Sequence, residues 1–308
     1  MEPTSSELSR GFDRRTFLKG VLSAGVIAAL EGCATVTDNM KATEMQHQNA
    51  EFESSPSWEQ DFSTMPNGPV DTRTWRFELD PAVPTYNDES QAYTDSERNV
   101  RIEDGVLVLE AHRESYQYPG TDTAYEFTSG RIDTLGSFDF EYGKCEVTMK
   151  LPTDPGTWPA FWFLSANQPF TDALNPTDEN WAEPRFYMHN GELDAVETYG
   201  NRPGVVEGAL HTFNKSYAFG APATITSDEF HTYGVEVTPT EVRWTLDGEV
   251  FGTYVKPSDS PDDWPFGSGN RIYPILNLAM GSVAGKIDGG LNKWQMQVKS
   301  IRFFECNK

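Results

Sequence analysis

Beyond Trp58 the chain alternates apolar and polar residues with a period of two, in short runs punctuated by Gly and Asp. Such runs read as half-buried strands. Val106–Ala111 follows the turn Glu103-Asp104-Gly105, and Ser129–Thr134 precedes Gly136 and the alternating Phe138–Tyr142. Lys144–Leu151, Val205–Thr212, His231–Val237, Ile272–Ala279 and Met296–Phe304 repeat the pattern. Glu241–Leu246 and Glu249–Val255 flank Asp247-Gly248, the dipeptide of a tight hairpin. No segment of adequate length has a helical period. The pattern predicts an all-β fold: a β-sandwich of jelly-roll type, two curved antiparallel sheets with a concave cleft.

One run breaks the alternation in an informative way. Gly191-Glu192-Leu193-Asp194-Ala195-Val196-Glu197-Thr198-Tyr199-Gly200 carries three carboxylates within six residues of a strand. Glu192 and Asp194 share a face, whereas Glu197 has the opposite parity. A β-bulge at Ala195-Val196 restores it, so three acids are expected in one row. Like charges that close raise the pKa of at least one carboxyl. A protonated carboxyl beside a carboxylate is what a retaining glycosidase uses, with the two groups roughly 5 to 5.5 Å apart. A solvated strand face is the competing interpretation.

The aromatic positions favour a sugar cleft. Gly156–Leu164 places Trp158 and Trp162 on one side of a strand and Phe161 and Phe163 on the other, towards the core. Sugar CH faces stack on such rings. Trp181, in the polar loop Thr171–Pro184, is a candidate for the cleft rim, and Tyr187 and Tyr199 bracket the acidic strand.

Composition adds limits. The chain has 308 residues, 13 % of them aromatic, with 25 Gly and 20 Pro, which suits strands and turns in one large domain. A net charge of -23 repels nucleic acid and anionic membrane faces. At the N-terminus, Asp13-Arg14-Arg15-Thr16-Phe17-Leu18-Lys19 precedes an apolar run from Gly20 to Leu30, too short to span a bilayer but suited to a signal peptide. The paired arginines point to twin-arginine export over residues 1–32. Leu30-Glu31-Gly32-Cys33 resembles a lipobox, with Cys33 as the lipidation site, although Glu31 departs from the small residue usual there. The expected location is periplasmic or cell-surface, with membrane contact only through the lipid. Residues 33–56 read as a polar tether and 57–308 as the catalytic domain. Cys145 and Cys306 are left either to pair or to remain buried thiols.

Taken together, these residues resemble bacterial laminarinase-like β-1,3(4)-glucanases of glycoside hydrolase family 16. Asn87–Thr94 is similar to the family's early cleft loop, Thr128–Ile132 to the strand leading to the cleft, and Trp158–Trp162 to its sugar-binding segment. The resemblance implies Glu192 as nucleophile, Glu197 as general acid and base, and Asp194 as the residue that orients and tunes them. It implies Arg131 and Asn87 as donors to sugar hydroxyls and His211 near the cleft, with a structural ion pair the competing interpretation for Arg131 and a packing role that for His211. Tyr187-Met188 stands where relatives carry Trp-Pro, which touches a sugar subsite. Relatives also use an Asp in the last strand for a structural calcium ion, and here that position reads Val298-Lys299-Ser300. The expectation is therefore no metal and no cofactor, with Lys299 paired to Asp61 or another acid. The implied activity is endo-hydrolysis of internal β-1,3 or mixed β-1,3/1,4 bonds of a β-glucan by a monomer, with retention. The alternatives are another neutral polymer such as agar or β-galactan, a transglycosylase, and a non-catalytic glucan-binding surface protein.

Overall fold

The computed structural model describes residues 52–79, 86–167, 190–223, 229–267 and 269–307. The signal segment, Cys33, Trp181 and Tyr187 lie outside the described residues.

The two-period runs become strands of two sheets. Numbered in chain order, the larger sheet runs β15 (Glu249–Val255), β14 (Glu241–Leu246), β13 (His231–Val237), β8 (Gly143–Lys150), β17 (Lys293–Glu305), β5 (Val106–Gln117), β6 (Ala124–Ser129) and β3 (Gln91–Tyr93). In addition, β1 (Trp58–Asp61) pairs with β17 and β4 (Val100–Glu103) with β5. The second sheet runs β12 (Ser216–Pro222), β11 (Val205–His211), β10 (Glu192–Glu197), β9 (Thr157–Ser165), β16 (Ile272–Met280), β7 (Arg131–Asp133) and β2 (Arg76–Phe77). All pairings are antiparallel except β3 with β6. This is the sandwich the alternation predicts.

The inner faces interlock in a single main core. Leu107, Leu109, Val147, Met149, Val235 and Trp244 of the larger sheet bury against Phe161, Phe163, Leu193, Leu276 and Leu278 of the smaller. β16 is covered on both faces, which is why it reads as a near-continuous apolar run rather than an alternation. The two shortest hairpins turn on Asp-Gly pairs with positive φ at both residues: Asp104 (51° at its counterpart Asp247, 50° here) with Gly105 at 79°, and Asp247 with Gly248 at 85°. That is the turn whose twist matches antiparallel strands.

Several elements differ from the sequence expectation. Phe138–Tyr142 is not a strand. Only Phe140 bridges, to Ile272, while Phe138 stacks on Trp58 with ring centroids 4.0 Å apart. The alternation there fills the end of the core with rings instead of forming a ladder. The presumed tether is paired at its end, since Phe52 bridges Cys306 and the Glu53 amide donates to the Glu305 carbonyl. Cys145 and Cys306 are free thiols. Lys299 makes its contact with the ring of Phe230, 5.7 Å from the centroid. It adds only a minor charge effect to Asp61, whose carboxyl is lowered chiefly by its hydrogen bonds from Ser63.

Candidate active site

The site is built on the face of the seven-stranded sheet that points away from the core. Against β9, Asp194 pairs with Trp162 and Val196 with Phe161, so Ala195 is the extra residue. Against β11, Asp194 pairs with Ala209 and Glu197 with Glu207, which shows the same one-residue insertion. The bulge expected at Ala195-Val196 is present. Leu193, Ala195 and Val196 all enter the core, and Glu192, Asp194 and Glu197 are left on the opposite face.

Two contacts from the core explain why the strand breaks there. Trp244 of β14 donates its indole N–H to the Asp194 carbonyl at 2.8 Å. Gly208, on β11 opposite the bulge, makes room for that ring: a Cβ there would stand 2.2 Å from Trp244 Cδ1.

The acids differ in environment. Glu197 is 9 % exposed, and its pKa is raised to about 8 by burial first, then by the charges of Asp194 and Glu207. It therefore holds its proton at neutral pH. Trp158 donates from Nε1 to Glu197 Oε1 at 2.7 Å and fixes the orientation of that carboxyl. His211, opposite Glu192 across the β10–β11 pair, points Nε2 at Asp194 Oδ2 (3.3 Å) and Glu192 Oε1 (3.8 Å). Burial disfavours its charge, but the close approach of Asp194 and the charges of Glu192, Asp194 and Glu197 outweigh that and lift it to about 9. Its Nδ1 meets Ser216 Oγ at 2.7 Å, which sets the ring plane. Glu192, Asp194 and His211 bring one donor atom each within 4.8 Å of one another. With His211 carrying its proton, the cluster is an ion-paired network.

Trp158 and Trp162 are half-buried on the site face, and Phe161 and Phe163 are in the core, as their parity requires. Trp162 is held by a relay that sequence reasoning missed. Its Nε1 donates to Asn277 Oδ1 (2.8 Å), Asn277 Nδ2 donates to Tyr93 Oη (3.1 Å), and Tyr93 donates to Glu89 (3.1 Å). Arg131, expected either as a sugar donor or in a structural ion pair, makes the ion pair. It is 4 % exposed, ion-paired to buried Glu78 at 2.9 Å, with its guanidinium 4.8 Å from the Trp162 ring centroid. Arg131 thus supports Trp162 from behind. Asn87 adopts φ 51°, and its carbonyl accepts from Ser282. Tyr199 is buried, with its ring 5.7 Å from that of Trp158 and its hydroxyl 3.4 Å from Glu207.

A bulged acidic strand, one carboxyl held protonated, and a tryptophan pair beside it agree with a match of residues 87–286 to the family model described as Glycosyl hydrolases family 16. The chain belongs to that family. It is 32 % identical over 217 residues to a beta-glucanase of Rhodothermus marinus, covering 66 % of this chain and 68 % of the relative. It is also 32 % identical over 261 residues to glucan endo-1,3-beta-glucosidase A1 of Niallia circulans, covering 76 % of this chain but only 34 % of that protein's length. The X-ray structure of the laminarinase from Rhodothermus marinus superposes with a TM-score of 0.69 at 28 % identity, over 85 % of this chain and all of that one. The family 16 match spans the bulge, both tryptophans, His211 and Asn277. It is therefore the setting in which their geometry is to be understood.

Proposed function

We propose that the chain is an endo-acting glycoside hydrolase that cleaves internal β-1,3 or mixed β-1,3/1,4 bonds of laminarin-like β-glucans with retention of configuration. The observation that carries this reading is the bulge, which places Glu192 and protonated Glu197 on one face with Asp194 between them.

In the first step Glu192 attacks the anomeric carbon while Glu197 passes its proton to the departing glycosidic oxygen. The bond broken is C–O to the leaving sugar, and the bond formed is the ester to Glu192. The anionic Glu197 then takes a proton from water, whose oxygen attacks the same carbon and returns Glu192 as a carboxylate. Asp194, ion-paired to His211, keeps a negative charge beside Glu197 and so favours its protonated form in the resting site. Trp158 and Trp162 supply faces for sugar rings.

The arginine pair and apolar run at the N-terminus support export by the twin-arginine route, and the Leu30–Cys33 sequence supports a lipid anchor at Cys33. A monomer at the cell surface or in the periplasm fits that reading. The test is a reducing-end assay on laminarin, lichenan, agarose, carrageenan and galactan, with the anomeric form of the first product followed by NMR. Laminarin cleaved to β-anomeric oligosaccharides is the expected result. Release from galactan or agarose alone would assign a different polymer, and products longer than the substrate would assign transfer.

A further inference from the structure

Glu207 has no part in the double displacement, yet it stands directly across the β10–β11 pair from Glu197, on the same face. Two ionised carboxylates opposed there would cost the sheet stability, and at 8 % and 9 % exposure solvent would do little to screen them. Glu207 is the one partner across β11 that is not apolar, small or hydrogen-bonded to the triad by its own ring: Ala209 faces Asp194, and His211 faces Glu192. On its other side Glu207 pairs with Gly220, which brings no side chain.

The carboxylate is held in a closed circuit. Arg202 Nη1 pairs with Glu207 Oε2 at 3.1 Å, and the Tyr199 hydroxyl meets Oε1 at 3.4 Å. The Arg202 guanidinium lies 4.3 Å from the centroid of the Tyr199 ring, which packs against Trp158. Trp158 closes the circuit by donating to Glu197. Both carboxylates are thus fixed by the same aromatic pair.

We propose that Glu207 is a positioning residue for the reaction: from the neighbouring strand, with Arg202 as its counter-ion, it governs when Glu197 gives up its proton. Glu207 acts on the reaction through Glu197, which it faces across the ladder. The charged and titratable groups around Glu197 are Asp194 and Glu192 on its own strand, Glu207 and His211 on β11, and Tyr199 and Arg202 in the segment that follows; β9 contributes the Trp158 donor. Among these, Asp194 is already neutralised in part by His211, as Glu207 is by Arg202. Two ion pairs of the same form therefore flank the one protonated carboxyl. Arg202 sets how much of the Glu207 charge Glu197 feels.

The proposal rests on Glu197 being the general acid, and the experiment separates the two. The pH profile of kcat/KM on laminarin is measured for the unaltered protein, Glu207→Gln, Glu207→Asp and Arg202→Gln, with Glu197→Gln alongside. Removing the Glu207 charge should move the basic limb down by about one pH unit. Glu207→Asp should restore it, and Arg202→Gln should move it up. If Glu207→Gln does not fold, the Arg202→Gln limb decides alone. A limb that stays in place in whichever variant folds, with activity lowered evenly at every pH, would overturn the proposal and leave Glu207 as a structural ion pair. Near-normal turnover by Glu197→Gln would instead remove the reading on which it rests.

Discussion

The indole of Trp244 crosses the core from one sheet to donate to the backbone carbonyl of Asp194 in the other, at 2.8 Å, where the acidic strand bulges. The bulge is therefore held by a buried hydrogen bond as well as by the packing of Ala195 and Val196. Trp244→Phe keeps most of the ring volume and leaves that carbonyl without its donor. Loss of about 1 to 3 kcal/mol is expected in urea unfolding, with a lower kcat and little change in KM. Unchanged stability and turnover would show that the bulge needs no support from the core.

Deleting Ala195 restores the plain two-residue period and turns Glu197 towards the core. Turnover should drop to the level of Glu197→Gln. The melting temperature should fall as well, because a carboxyl would then enter an apolar interior. A deletion variant that retained activity would mean that Glu197 need not share the face of Glu192.

Glu192→Gln and Glu197→Gln should each reduce laminarin turnover by at least about a hundredfold. The two differ on a substrate that needs no acid. On an aryl laminaribioside with an activated leaving group, Glu197→Ala should still release the phenol in a burst, whereas Glu192→Gln should release none. Equal loss by both variants on that substrate would contradict the division of roles.

The raised pKa values fix a pH dependence. Glu197 must be protonated to act, so kcat/KM should fall as pH rises through about 8. Stability follows the same direction. Glu197 binds its proton more tightly folded than unfolded, so its protonated form favours the fold at low pH, and that advantage is lost from its ordinary value up through about 8. His211 contributes stability in full below its ordinary pKa and loses it as pH rises through about 9. Thermal melts should thus decline from pH 6 to pH 9.5, and His211→Gln should flatten the upper part of that decline.

Trp158→Phe tests the donor on the acid. The hydrogen bond from Trp158 favours ionised Glu197, so its loss should move the basic limb to higher pH while a ring face for sugar remains. A limb displaced to lower pH would show that Trp158 acts otherwise.

Much of this was legible in the sequence, for identifiable reasons. Asp247-Gly248 requires positive φ at both residues, so the β14–β15 hairpin follows from two side chains. The ExDxxE spacing requires a bulge if its acids are to work together, and the bulge is there. Trp158 and Trp162 separate from Phe161 and Phe163 by parity alone. What was not legible depends on partners far away in the chain. Ser216–Pro222 sets Tyr217, Phe219 and Ala221 between small residues and ends in Gly-Ala-Pro, a pattern as suited to a loop as to a strand, and it forms β12 because β11 offers it an edge. For Arg131 an ion pair was conceivable, but its partner, Glu78, lies 53 residues earlier and only the fold brings it there. Asn277 and Glu207 sit in strands whose pattern says only which face they share. Their importance comes from Trp162 and Glu197 across the ladder.

The central claim is that Glu192 forms the covalent bond to sugar while Glu197 handles the proton. A laminaribioside bearing fluorine at C2 of the sugar to be attacked, and an activated leaving group, should trap that ester by slowing its hydrolysis. Peptide mapping by mass spectrometry should then find one glycosyl adduct, on Glu192. An adduct on Glu197 or any other residue, or an active enzyme that the reagent leaves unlabelled, would contradict the account.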